Sequence, residues 1–249
     1  MLIFKKGWCI EMETLAVVPA RGGSKSIYKK NIHPLCGKPL IYYTIRSAKN
    51  SILSRTVVST DDEEIASVAK SFGAEVPFLR PAELARDDTP SLPVIQHAVR
   101  FLEETEDYLP SIIVILQPTS PLRTSEHIDE AIHILVEAGA DSVVSVIEVP
   151  HNFNPVSVMR IENGKLKPFL EGEGTRILRR QDKPRVFARN GAAVYAMTYE
   201  TLMERNSLFG EDCRPFLMDE QASIDIDSQF NLRIAEMLLT SLHNSSVIK

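Results

Sequence analysis

Short apolar runs that alternate with amphipathic helical stretches constrain this chain most, because that alternation builds βα units around a mainly parallel sheet. Thr14 to Ala20 (TLAVVPA) reads as a buried strand. Pro39 to Lys49 has helical spacing, with Pro in its first turn and Ile41, Thr44, Ile45 and Ala48 on one face. Arg55 to Thr60 reads as a second strand, followed by a helix from Asp62 to Phe72 that Gly73 closes. Glu75 to Phe78 is expected as a short strand, and a helix is expected around Val94 to Glu104. Ser111 to Leu116 (SIIVIL) has the signature of a buried strand. Ser125 is placed to cap a helix reaching Ala138, with Gly139 after it, and Asp141 to Ile147 returns to the sheet. The 249 residues suit one such domain.

From Pro150 the pattern breaks. Residues 150–189 carry scattered Pro, Gly and charge with weak alternation, and Asn163-Gly164 signals a hairpin turn. A partly two-stranded excursion of this length inside an α/β domain reads as an interaction arm or lid, with an irregular loop as the plainer reading. Regular structure resumes at Ala192 to Met197 and ends in a helix from Phe230 to Leu242. The expected organisation is a tail over residues 1–12 and one domain over 13–249, with 150–189 inserted as the arm.

The 33 acidic residues outnumber the 28 basic ones, for a net charge of −5, which argues against a polynucleotide partner and leaves room for a small anion held by clustered cations. Cys9, Cys36 and Cys213 match neither a disulfide framework nor a zinc site and read as reduced thiols of a cytoplasmic protein. No apolar run is long enough to span a bilayer, so no membrane association is expected. The histidines form no metal-binding motif, and His127 and His133 read as surface or packing residues on one helix. Trp8, Tyr42 and Tyr43 read as ordinary core or surface aromatics.

Chemistry concentrates in two places. The first strand runs into Ala20-Arg21-Gly22-Gly23-Ser24-Lys25, with Lys29, Lys30 and Asn31 close behind. Glycines at the carboxyl end of a buried strand let backbone N–H groups cradle an anion, and Arg21, Lys25 and Lys30 add cations at a density that suits a triphosphate. Neither named phosphate motif is present, so the competing reading is a charged surface loop. The second place is Ser223 to Asp227 (SIDID). In an extended strand Asp225 and Asp227 point the same way, and a hard oxygen pair of that kind suits Mg²⁺. Alternatively Asp227 caps the terminal helix.

The run VVPARGGSKSIYKKNI resembles the opening signature of the acylneuraminate cytidylyltransferases. LQPTSPLR (Leu116 to Arg123) and SIDID match further family motifs in order, as do VSTDDEEIA, FLRPAELA and RNGAAVYA. The resemblance covers nearly all the chain from Thr14 onward. It implies a three-layer α/β fold of the nucleotide-diphospho-sugar transferase type, Rossmann-like, with a small dimerisation arm. It further implies attack by the anomeric hydroxyl of a sialic-type sugar acid on the α-phosphorus of CTP, with Mg²⁺ as cofactor and pyrophosphate as product.

By position, the resemblance assigns the triphosphate to the Ala20–Lys25 loop with Lys30 and Asn31, and the cytosine to Arg80, Thr89 and Ser91. The sugar falls to Gln117, Asn190 and Gly191, and the metal to Asp225 and Asp227, either of which is a candidate to take the sugar proton. Arg180 resembles an arginine lent across a homodimer. Ser26 and Tyr28 replace the usual Gly and Pro of the opening signature, which bears on the loop's geometry. Ser157 and Ala188 stand where sialic acid enzymes can carry a lysine and an arginine, with Arg179, Arg185 or Arg189 as candidate compensation. These departures leave room for legionaminate, pseudaminate or deaminated neuraminate. The rival readings are an enzyme for another keto-deoxy sugar acid, such as keto-deoxy-octulosonate, and a catalytically silent nucleotide-binding relative.

Overall fold

A computed structural model describes residues 2–5, 8–170 and 179–247, with side chains for 12–170 and 179–242. Residues 171–178 of the expected arm and the side chains of Trp8 and Cys9 lie outside the described residues. In the segment expected to be a tail, β1 (Leu2–Lys5) and β2 (Trp8–Glu11) pair with each other antiparallel. The domain then opens with β3 (Thr14–Pro19), a small ribbon of β4 (Pro34–Leu35) and β5 (Lys38–Pro39), and helix α1 (Leu40–Lys49). β6 (Arg55–Ser59) and α2 (Glu63–Ser71) form the next unit, in which the Asp62 carboxylate caps α2 by accepting from the N–H groups of Glu64 and Ile65.

Helix α3 (Ser91–Glu106), β7 (Ile112–Ile115), α4 (Ser125–Ala138) and β8 (Ser142–Glu148) continue the alternation. After the arm hairpin β9 (Met159–Glu162) and β10 (Lys165–Pro168) come β11 (Phe187–Arg189), β12 (Tyr195–Thr198), β13 (Cys213–Leu217) and α5 (Gln229–Val247). The arm turns where expected: Asn163 and Gly164 both have positive φ, 51° and 72°, the backbone a two-residue hairpin of this hand requires.

β3, β6, β7, β8 and β13 run one way and β11 and β12 run against them. β11 and β12 share one edge of β8, since β13 pairs with the same β8 residues on the opposite edge, and residues 190–194 bulge out between them. Successive residues of β3 face opposite layers. Ala16 and Val18 pack with α1, α2 and α4, whereas Leu15 and Val17 pack with α3 and the π-helical turn Glu200–Glu204. With both faces covered, the strand is apolar throughout, which is why its sequence shows a run rather than an alternation. A third apolar cluster pins Ile27, Leu122 and Ile226 against α1 and α5.

Some sequence expectations need correction. Glu75 to Phe78 is not a strand: Glu75 makes one isolated bridge to Val57, and Pro77 has no N–H to continue the ladder. Thr124 rather than Ser125 stands at the N-cap of α4, its own N–H donating to His127 Nδ1 at 3.1 Å. Helix α3 starts at Ser91, ahead of the expected Val94, which puts Ser91 in its first turn. SIDID is irregular rather than extended, with Asp227 N–H turning back to the Asp225 carbonyl at 3.2 Å.

Candidate active site

The loop leaving β3 is tied at both ends and open in the middle. Ala20 is fully buried and donates its N–H to the Ser59 carbonyl, so it anchors the loop rather than facing a ligand. Gly22 N–H donates to Asp61 Oδ1 at 2.9 Å, and a Cβ on Gly22 would lie 2.8 Å from Asp62 Oδ2, which explains glycine there. Buried Asn31 reaches back to hold the Arg21 carbonyl at 2.9 Å. Burying Ile27 contributes about 1.5–3 kcal/mol to holding the far end. Gly23, Lys25 and Ser26 stay exposed between these anchors. The left-handed residue is Lys29 (φ 47°), not Ser26, and the exposed Tyr28 lies under the Lys29 ammonium, so neither departure from the family signature strains the loop.

This loop lines a cleft of about 460 Å³ with Arg21, Gly23, Ser24, Lys25, Lys30 and Asn31. Arg80, Thr89 and Ser91 line its far side, and Gln117 and Asp227 close it. Lys30 Nζ donates to Asp227 Oδ1 at 3.2 Å and to the Ile226 carbonyl at 3.1 Å, joining residues 197 apart in sequence. Arg80 is buried, with Nε donating to Ser59 Oγ at 3.0 Å and Nη2 to the Ser59 carbonyl. Burial, only partly offset by Asp61, pushes its guanidinium down to about 10, so it stays charged at neutral pH.

Asp225 sits behind the cleft lining. Burial holds its carboxyl above the usual range, a hydrogen bond from the Thr119 side chain pulls it back, and the neighbouring Asp227 adds to the rise. Its Oδ1 is buried without a partner among the described residues. Two adjacent carboxylates, one with an orphaned buried oxygen, suit a hard cation that keeps water and phosphate oxygens as its other ligands. No group of three or more His, Cys, Asp or Glu that could hold a metal ion assembles among the described residues. Asp227 does not cap α5: Ser228 does, its Oγ accepting from Asn231 N–H at 3.2 Å.

The 190–194 bulge supports Asp225. Gly191 has φ 71°, and a Cβ on it would collide with the Asp225 carboxylate. Buried Asn190 accepts from Ser145 Oγ at 2.6 Å and donates to Ser223 Oγ at 3.0 Å and Met218 Sδ, so its amide braces the SIDID segment instead of lining the cleft. Arg180 lies apart, in a second cavity of about 510 Å³ at the base of the arm. Each arginine weighed as compensation in the arm has a partner: Arg179 with Asp182, Arg185 with Glu148, Arg189 over the Phe209 ring. Lys183, unnoticed in the sequence, donates its ammonium to Ser157 Oγ at 2.5 Å, at the position where a lysine was missing.

Sequence reasoning also missed Arg123, Thr119, Asp61 and Asp87. Arg123 is fully buried, and its Nη1 holds the carbonyls of Gln117 at 3.1 Å and Ala193 at 2.8 Å, joining the β7 exit to the bulge. Thr119 anchors the SIDID segment through its carbonyl, which accepts from Ile226 N–H at 2.9 Å. Both lie in the LQPTSPLR motif, which was the available signal.

The chain is 38% identical over 236 residues to the CMP-N,N'-diacetyllegionaminic acid synthase of Campylobacter jejuni, covering 94% of this chain and 97% of that protein. It is 30% identical over 236 residues to a pseudaminic acid cytidylyltransferase of the same species, covering 94% of this chain and all of the relative. The structure of a CMP-2-keto-3-deoxy-manno-octonic acid synthetase complexed with CTP superposes with a TM-score of 0.66 over 92% of this chain and 99% of that one, at 16% identity, and shares the fold. Residues 15–212 match the cytidylyltransferase family, and this chain belongs to it.

Proposed function

We propose that this protein transfers CMP from CTP to the anomeric hydroxyl of a sialic-type nonulosonic acid and releases pyrophosphate. The carrying observation is the convergence in one cleft of Arg21, Lys25 and Lys30 with Asp227. Phosphoryl transfer asks a protein chiefly for positioning and for neutralisation of developing charge, and these groups supply both. The hydroxyl oxygen bonds to the α-phosphorus, the bond from that phosphorus to the α,β-bridging oxygen breaks, and the electron pair leaves with pyrophosphate. Lys30, three-quarters or more shielded from solvent, faces that charge at close range. The proton from the hydroxyl passes to an aspartate of the SIDID segment, directly or through water. Asp225 and Asp227 are the residues that would hold Mg²⁺, which when bound screens phosphate charge.

Arg80, fixed by Ser59, presents a guanidinium to the base with Thr89 and Ser91 beside it, and a mismatched base leaves those groups unpaired. The names of the relatives support a legionaminic or pseudaminic type of acid. The arm has exposed Phe153, Ile161, Leu166 and Phe169, an apolar surface suited to a second copy of the chain, with Arg180 and Lys183 beside it to meet the sugar acid of the partner. No described helix is long and apolar enough to cross a membrane, Cys36 and Cys213 are exposed free thiols, and CTP is the substrate; all suit a cytoplasmic enzyme.

The test is incubation with CTP, Mg²⁺ and a panel of acids: legionaminic, pseudaminic, N-acetylneuraminic and keto-deoxy-octulosonic. Pyrophosphate should appear with a nine-carbon acid and only with CTP. Release only with UTP or ATP, only with the eight-carbon acid, or with no acid at all would each defeat the proposal.

A further inference from the structure

Asp87 lies in the loop between the short 3-10 turn Ala82–Leu84 and α3, and its carboxylate reaches the β3 loop. One oxygen meets Arg21 Nη1 at 2.7 Å and the other meets Lys25 Nζ at 2.6 Å. These are the cations the proposed reaction assigns to the triphosphate. A carboxylate beside a phosphate repels it, so Asp87 and a triphosphate cannot both hold Arg21 and Lys25. Asp227, the other carboxylate lining the cleft, differs because it pairs with Lys30 and adjoins Asp225. The side chains of Arg21, Lys25 and Asp87 are 31%, 80% and 47% exposed, so their ion pairs carry little net energy and exchange readily.

We propose that Asp87 is an internal competitor for the phosphate site, holding Arg21 and Lys25 until CTP displaces it and taking them back as pyrophosphate departs. The inference rests on the proposed reaction, which is what makes those two cations phosphate ligands. Its effect is to weaken the binding of both CTP and pyrophosphate and to speed product release. The same loop carries Thr89 and leads into Ser91, so displacing Asp87 unties the segment that faces the base from the segment that faces the phosphates.

Titration calorimetry of CTP and of pyrophosphate with wild type and Asp87→Asn, in Mg²⁺ and in EDTA, tests this. Asn keeps the size and removes the charge. Asp87→Asn should bind both ligands roughly three- to tenfold tighter in both media, the scale of two exposed charge pairs. The gain should shrink as salt rises, and Asp87→Glu should stay near wild type. Unchanged or weaker binding by Asp87→Asn would overturn the inference, and weakening confined to Mg²⁺ would make Asp87 a metal ligand instead. A wild type that binds pyrophosphate but not CTP would sink the proposed reaction, and the pyrophosphate titrations would still decide the role of Asp87.

Discussion

The two walls of the cleft are built from different kinds of polar contact. The strand-end wall is held by buried side chains bonded to groups within the protein: Asn31 to the Arg21 carbonyl, Arg80 to the Ser59 hydroxyl and carbonyl, Arg123 to the Gln117 and Ala193 carbonyls, Asn190 to the Ser145 and Ser223 hydroxyls. The loop wall is held by exposed ion pairs, Arg21 and Lys25 with Asp87. Breaking a buried hydrogen bond and leaving its partner unsatisfied costs about 1–3 kcal/mol, so the first wall keeps its shape whichever ligand arrives. Exposed pairs are screened and hold two mobile side chains, so the second wall can trade partners. Lys30 belongs to neither class, being mostly shielded yet paired with the exposed Asp227. It is the joint between a fixed scaffold and an exchangeable charge surface.

That contrast predicts where substitutions hurt. Lys30→Ala should have the largest effect, a fall in kcat of about 10²–10³-fold, the usual scale for removing one group aimed at developing charge. Steady-state pyrophosphate release measures it, and a full rate would remove Lys30 from the chemistry. Gly191→Ala should come next. It combines a left-handed backbone with a collision against the Asp225 carboxylate, and strain of this kind costs about 1–3 kcal/mol. Denaturant melts should show the loss, together with reduced turnover as Asp225 shifts. Gly23→Ala, with nothing within 4 Å of the added carbon, should stay within about 0.5 kcal/mol of wild type. Equal losses at the two glycines would break the distinction between the walls.

The strands and most helices were legible because burial on both sheet faces writes an apolar run and burial on one helix face writes a period. β3, β7 and the buried side of α1 follow from that alone. The convergence of Lys30 with Asp227 was reachable only through motif resemblance, since local pattern carries no information about contacts 197 residues apart. What escaped was support. The resemblance assigns Asn190 to the sugar, yet Asn190 spends its amide inside the protein, and Arg80, which does line the cleft, depends on Ser59 at the end of β6 to hold it there. Asp87 escaped because an aspartate in an acidic loop looks like solvated charge until the fold sets it against two cations. SIDID was misjudged as a strand because alternation of Ile and Asp has a period of two, whereas here Ile226 packs with α5 and the Thr119 carbonyl fixes the turn.

The smallest expected effect separates the two readings of Asp227. Ser228 Oγ accepts from the N–H of Asn231 at the start of α5, and losing such a cap costs about 1 kcal/mol. Ser228→Ala should therefore lower the denaturation midpoint slightly and leave turnover with saturating CTP near wild type. Asp227→Ala should do the reverse. Its side chain is 74% exposed and caps nothing, so the fold should melt as before while turnover collapses, since the Lys30 ammonium loses its partner and the metal pair loses a carboxylate. If Asp227→Ala destabilised the chain and spared the reaction, the carboxylate would belong to the helix, and the cleft would lose the only aspartate that lines it from the SIDID segment.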